Sequence, residues 1–248
     1  MTKVISHRGA NKLAPQNTVP AFQKALEFGV DGFENDVHLT KDGRLVVCHN
    51  YDIDRTSNGT GLIQDLTFDE LRKFDFGSYF SEEFAGTKIP SLEEFLDLCK
   101  SLSVINIEIK SPKKPNTDIA RKVINMVKDF NLFENLIISS FDEQILLDCK
   151  EVDPKTRTGM LYAPDEGPYE AIFEDKIAFA KKYNIQAYHP FAMFVDEEYI
   201  QDCHKIGVMV NPWTVNPPEA METLRDWGCD GIITDYPDVA MKITREVK

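Results

Sequence analysis

The sequence predicts a (β/α)8 TIM barrel with a small lobe inserted after the second strand. Short β-branched runs alternate with amphipathic segments, eight such β-then-α units fit within the 248 residues, and one long stretch breaks the rhythm. Eight units in about 250 residues suit a closed barrel better than a doubly wound sheet. The chain is read as a single domain, residues 1–248, with the lobe at about 50–90.

The strands fall at 3–6, 32–37, 104–110, 136–140, 158–162, 186–189, 208–213 and 231–234. Thr67 with Glu70, Ser91 with Glu94 and Ser140 with Glu143 have capping-box spacing. In that motif a hydroxyl and a carboxylate satisfy free amides at a helix start. Gly29 and Gly207 stand where helices should stop, because glycine accepts a left-handed backbone at low cost. After Val37, two apolar arms flank Lys41-Asp42-Gly43 and read as a β-hairpin. Closing it there returns His49 to the level of Asn35 or Asp36. The lobe then leaves the C-terminal end of the second strand, over the mouth of a barrel. Its Tyr51, Phe68, Phe74, Phe76, Tyr79, Phe80 and Phe84 are expected mostly to form the lobe's own core.

Composition narrows the functional classes. With 28 basic and 41 acidic residues the net charge is −13, and 42% of residues are hydrophobic. That balance excludes a disordered chain and disfavours an extended nucleic-acid surface or a stable membrane association. One local cationic pocket remains compatible with it. No apolar run approaches the ~20 residues a bilayer requires, and MTKVISHRGA lacks a signal-peptide pattern, so a cytoplasmic location is expected. The five cysteines are scattered, odd in number and without a C-x-x-C, and are expected as buried free thiols.

Residues able to do chemistry gather at strand ends. Glu34 and Asp36 occupy alternate positions of one strand and share a face; so do Asn106, Glu108 and Lys110 on the next. Three carboxylates from adjacent strands repel one another unless a cation joins them, and they make an oxygen-rich site for Mg²⁺ or Ca²⁺. His7 and Arg8 end the first strand beside them. Two imidazoles, His7 and His49, with Arg8 and Lys110 to neutralise charge, suit phosphoryl transfer: one histidine removes a proton and the other supplies one. His189 and Trp213 fall at the ends of late strands. Asp235 is read as the N-cap of the last helix, and His38 and His204 as surface residues. No phosphate-binding loop, dinucleotide glycine motif or serine nucleophile elbow occurs.

These residues resemble the glycerophosphodiester phosphodiesterase family. The likeness runs through His7-Arg8-Gly9, Pro15-Gln16-Asn17-Thr18, Glu34-Asn35-Asp36-Val37, Thr40-Lys41-Asp42-Gly43 and Val46-Val47-Cys48-His49. It continues in Arg55-Thr56, Asn58-Gly59, Pro90-Ser91-Leu92, Glu108-Ile109-Lys110, Trp213-Thr214-Val215-Asn216 and the segment from Asp230 to Asp235. The resemblance implies a TIM barrel that hydrolyses small-molecule glycerophosphodiesters to glycerol 3-phosphate and an alcohol, using one divalent cation. It implies that His7 and His49 form the acid–base pair and that Glu34, Asp36 and Glu108 hold the cation. Arg8 and Lys110 would contact the phosphate, and Trp213 would line the pocket. Such an enzyme would serve lipid and glycerol metabolism by acting on deacylated phospholipid headgroups. Two residues depart from the family pattern: Gln16 stands for Glu, and Asn50 for the Asp that follows the second histidine. Each keeps an oxygen acceptor and removes a negative charge. Two other readings compete. A phospholipase D-type barrel acting on lysolipids is opposed by the lack of a membrane-docking or secretory segment. A non-catalytic phosphate-binding barrel is favoured by Gln16 and Asn50 and opposed by the complete set of histidines and carboxylates.

Overall fold

The computed structural model describes residues 1–110 and 118–245. Its strands are β1 (Lys3–His7), β2 (Gly32–Leu39), β3 (Leu45–Val47), β4 (Val104–Ile109), β5 (Leu136–Ser140), β6 (Thr158–Tyr162), β7 (Ala187–Pro190), β8 (Met209–Val210) and β9 (Gly231–Thr234). The helices are α1 (Val19–Glu27), α2 (Phe68–Leu71), α3 (Leu92–Leu98), α4 (Ile119–Asp129), α5 (Glu143–Val152), α6 (Tyr169–Tyr183), α7 (Glu197–Lys205), α8 (Pro218–Asp226) and α9 (Pro237–Arg245).

Eight parallel strands follow the order β8-β7-β6-β5-β4-β2-β1-β9. The two outer strands meet through Asp230 N to Val210 O (3.1 Å) and Ile233 N to Pro212 O (3.0 Å), which nearly closes the ring. The protein is an α/β TIM barrel, as the alternation of strands and helices predicts. β8 is shorter than the expected 208–213 because Pro212 has no amide hydrogen to give the ladder.

Side-chain alternation sorts each strand between two layers. On β4, Ile105, Ile107 and Ile109 join the apolar layer beneath the helices, while Asn106 and Glu108 lie on the opposite face. On β2, Phe33 and Val37 do the same, leaving Glu34 and Asp36 on the other face. Phe33 is clamped by Phe22 of α1 and Phe95 of α3, with ring centroids 5.0 and 6.0 Å away. All three rings are fully buried, and truncating one to alanine would cost about 3–5 kcal/mol. The strand that carries two site carboxylates is therefore rigidly backed.

Capping boxes form at Thr67 and Ser91. The one expected at Ser140 does not form. Ser140 still belongs to β5 and donates to Ile109 O (2.9 Å), so Asp142 caps α5 instead by accepting from Gln144 N (2.9 Å). Gly29 (φ 72°) and Gly207 (φ 75°) follow α1 and α7 in the left-handed conformation.

β2 and β3 form the expected hairpin, with Val37 opposite Val47 and Gly43 (φ 75°) in its turn. Residues 50–90 then pack Ile53, Ile63, Leu71, Phe76 and Ile89 against Val46 and Cys48, with Phe68 and Phe74 on the flank. Tyr79 and Phe80 are instead exposed, so only part of the aromatic set serves that core. All five cysteines are free and buried. Among the described residues no helix is long and apolar enough to cross a membrane.

Candidate active site

β1 delivers His7 to the barrel mouth. Its Nδ1 donates to Asp235 Oδ1 at 2.6 Å, and its Nε2 lies 3.9 Å from Glu34 Oε2. Asp235 is itself fixed by Asn11 Nδ2 (2.6 Å), Asn216 Nδ2 (3.0 Å) and Lys12 Nζ (3.3 Å). It is not the cap of α9. Period two carries the face of Gly231 and Ile233 on to Asp235, which turns its carboxylate toward His7. Thr234 Oγ1 accepts from Tyr236 N (3.1 Å) at the start of that helix. Burial would raise the Asp235 carboxyl, but its bonds to His7, Asn11 and Asn216 hold it well below the usual range.

Past His7 the chain turns through Arg8 (φ 56°) and Gly9 (φ 81°). Gly9 answers two demands, since a Cβ there would also lie 2.6 Å from the Ala21 carbonyl carbon. The turn brings Arg8 to β2. Its backbone N–H reaches Glu34 O (3.0 Å) and Oε2 (3.2 Å); its Nε lies 3.3 Å from Asp36 Oδ2, and its Nη1 donates to Gln16 Oε1 at 2.8 Å. Asn17, next in the chain after Gln16, donates to Asp36 Oδ2 at 2.7 Å.

The β2–β4 register sets Asp36 beside Glu108 and Glu34 beside Asn106. Ligand atoms of Glu34, Asp36 and Glu108 all lie within 4.8 Å of one another, and all three residues are buried. Lys110 Nζ bridges Asp36 Oδ1 (2.8 Å) and Glu108 Oε1 (2.5 Å). Burial and the Asp36 charge push the Glu34 carboxyl well up, and burial takes Glu108 to about 7 against the pull of Lys110. Asp36 moves the other way: Lys110 and Arg8 overcome its burial and keep it ionised.

The hairpin returns His49 as its register requires, with Cys48 N donating to Asp36 O at 3.0 Å. His49 Nδ1 donates to Asn50 Oδ1 (2.9 Å). His38, expected at the surface, is buried beneath Tyr51, whose ring meets it edge-on at 5.2 Å. Its Nε2 donates to His49 O at 3.4 Å. Burial pushes both imidazoles down to about 4.

His7, Arg8, Glu34, His49, Glu108, Lys110 and Trp213 line one cavity of about 140 Å³. Asp36 is wholly buried beside it. Trp213 Nε1 donates to His189 O at 2.7 Å, with Phe141 and Phe191 edge-on to its ring. His189 does not line that cavity. It is fully buried next to Asn211, in space left by Gly159, and burial pushes it to about 3. His204 is exposed, as expected, and pairs with Asp230. Sequence reasoning thus missed Asn17, His38 and Asp235. Of these, Asp235 had a signal in its inward parity with Ile233, and Asn17 in its place within the Pro15-Gln16-Asn17-Thr18 motif.

Buried carboxylates, paired imidazoles and two cations gathered at a barrel mouth define a class, the phosphate-diester hydrolases. The chain belongs to the glycerophosphoryl diester phosphodiesterase family, whose sequence model matches residues 7–239. It is an enzyme of that family. A glycerophosphodiester phosphodiesterase of Caldanaerobacter subterraneus is 41% identical over 246 residues, covering 99% of this chain and 98% of the relative. One from Bacillus altitudinis is 35% identical over 252 residues, covering both chains fully. Among solved structures, an Oleispira antarctica phosphodiesterase in complex with the product sn-glycerol-3-phosphate superposes with a TM-score of 0.85 at 26% identity, covering 98% of this chain and 95% of that one.

Proposed function

We propose that this chain hydrolyses glycerophosphodiesters to sn-glycerol 3-phosphate and an alcohol, with one divalent cation and with His7 and His49 as acid and base. The observation that carries this reading is the meeting of both imidazoles, Arg8 and Lys110 with the Glu34–Asp36–Glu108 cluster around one cavity. The product bound in the Oleispira relative supports the same substrate class. Glu34, Asp36 and Glu108 would hold the cation. An all-oxygen donor set of three buried carboxylates suits a hard ion such as Mg²⁺ or Ca²⁺, and the raised Glu34 and Glu108 are what anions short of positive charge would show. When bound, such an ion polarises a phosphoryl oxygen and offsets charge developing on it.

The remaining work falls to the chain's own residues. Arg8 and Lys110 bind phosphate oxygens, and Trp213 walls the substrate. His49, pushed to about 4, is neutral near pH 7 and takes the proton of the attacking hydroxyl. His7, with the Asp235 carboxylate on its Nδ1, keeps its proton more readily and gives it to the departing alkoxide. The chain is read as one catalytic domain with residues 50–90 inserted beside the mouth. Five buried free thiols favour the reducing cytoplasm.

The test is release of glycerol 3-phosphate from glycerophosphocholine with and without EDTA. Release that EDTA abolishes, and that Mg²⁺ or Ca²⁺ restores, is the expected result. No release under any condition refutes the reading, and EDTA-resistant release removes the cation from it.

A further inference from the structure

A second cavity, of about 470 Å³, adjoins the catalytic one and shares His49, Glu108, Lys110, Phe141 and Glu166 with it. A diester whose phosphate lies against His49, Glu108 and Lys110, which line both cavities, has room to extend one alcohol into the larger space.

The larger space is acidic where catalysis does not ask for it. Lys110 pairs with Asp36 and Glu108 and serves the phosphate in the proposed reaction, and Asp142 caps α5. Glu166 is exposed, and among the described residues its carboxylate makes no hydrogen bond or ion pair. Its backbone is nevertheless held in place. Ala163 N donates to Glu166 O (2.9 Å), and Glu166 N returns the bond to Ala163 O (3.1 Å). Gly167 (φ 72°) follows, where a Cβ would meet Leu161 O at 2.7 Å. A tight turn pressed on the barrel thus presents an uncommitted anion to both cavities. Asp52 and Arg55 also line it, and among the described residues the acidic side chains of the lining outnumber the basic ones. Tyr51 and Phe141 add two aromatic rings. Burial raises the Tyr51 hydroxyl and, against Lys110, the fields of Glu108, Glu166 and Asp142 raise it further, which places the ring among those carboxylates.

We propose that this second cavity receives the alcohol of the diester, and that Glu166 with the Tyr51 and Phe141 rings selects alcohols that carry an ammonium group. The inference rests on the phosphodiesterase reading. A carboxylate next to a phosphodiester disfavours any substrate that does not bring its own positive charge. An ammonium brings that charge, and carboxylates and aromatic faces both attract it.

The experiment compares the choline, ethanolamine and glycerol esters of glycerol 3-phosphate. Values of kcat/KM are measured on the wild type. Values of Kd are measured on the Mg²⁺-loaded His7→Ala/His49→Ala protein, which cannot turn substrate over. Both sets should favour the two ammonium esters. Glu166→Gln should cut that preference about fivefold, mainly through KM, as expected for one exposed charge pair assisted by aromatic contact. Glu166→Lys should reverse it. An unchanged ratio in Glu166→Gln overturns the proposal, as does an equal loss on all three esters, which would put the shared glycerol against Glu166. A wild type that releases no product from any ester refutes the phosphodiesterase reading instead, and the Kd ratios still decide the role of Glu166.

Discussion

His7 and His49 face the same carboxylates but are supported in opposite ways. His7 ends a barrel strand, and its Nδ1 partner is the carboxylate of Asp235, drawn from the far end of the chain and fixed by three further residues. His49 ends a hairpin, and its Nδ1 partner is the amide of its own neighbour, Asn50. Burial lowers both imidazoles. Only at His7 does a directly bonded anion oppose it. Two identical side chains one cavity apart thus acquire different proton affinities, because an ionised partner stabilises imidazolium more than a neutral amide oxygen does. In the proposed mechanism that difference assigns His7 as the acid and His49 as the base.

Deleting each histidine gives the largest expected effect and breaks the comparison most directly. A p-nitrophenyl ester of glycerol 3-phosphate releases a phenolate that barely needs protonation. His7→Ala should lose roughly 10²–10⁴-fold in kcat/KM on the choline ester and little on the activated one, the usual scale for general acid catalysis. His49→Ala should lose a similar factor on both, since a proton must leave the attacking hydroxyl in either case. The reverse pattern would exchange the two roles. Equal damage by both variants on both esters, with cation binding intact, would reduce them to positioning groups.

Removing the charge behind His7 tests the same division more gently. Asp235→Asn keeps a hydrogen-bonding side chain of the same shape but no longer stabilises imidazolium. A loss of about 10–100-fold on the choline ester is expected, the scale seen when a buried orienting carboxylate is changed. The sign follows from the role. The protonated form of His7 is the active one, so a lower proton affinity moves the alkaline limb of kcat/KM to lower pH. The variant should spare the p-nitrophenyl ester. A fall in rate with the limb unmoved would leave Asp235 with a packing role only.

The two halves of this site were not equally legible in the sequence. Glu34, Asp36 and Glu108 could be brought together from the period of a strand, because alternation assigns a face without knowledge of distant contacts. His49 could be placed because the turn at Lys41-Asp42-Gly43 fixes a register, and Val37 does pair with Val47. The support of His7 followed no local rule. Asp235 reads as a helix start, which is a local signal, whereas its partner lies 228 positions away. Asn17 donates to Asp36 from a left-handed backbone (φ 56°), and the motif that holds it, Pro15-Gln16-Asn17-Thr18, does not by itself name Asp36 as its partner. His38 is buried because Tyr51 lies edge-on against it, a packing contact invisible in a polar hairpin sequence. Of the two departures from the family pattern, Gln16 still accepts from Arg8 and Asn50 still accepts from His49. Both side chains present an uncharged oxygen acceptor where the family pattern has a carboxylate.

Restoring one of those charges gives the smallest expected effect and the sharpest one. Asn50→Asp would set a carboxylate where an amide oxygen now lies 2.9 Å from His49 Nδ1. His49 would then resemble His7, with an anion opposing the burial that now holds it at about 4. An opposite charge at hydrogen-bond distance from a partly buried imidazole raises its pKa by about one unit or more. The neutral form of His49 is the active one, so the acid limb of kcat/KM should move up by about that amount while the alkaline limb stays in place. Near pH 7 both forms of the enzyme would still hold His49 mostly neutral, and their rates should agree within about twofold. The pH profile is therefore the readout, and a single rate at neutral pH is not. The limbs belong to the coupled pair, so the shift is read as a change in the profile rather than as the titration of one ring. If the acid limb does not move, His49 is not the base that limits it, and the contrast between the two histidines has no bearing on the reaction.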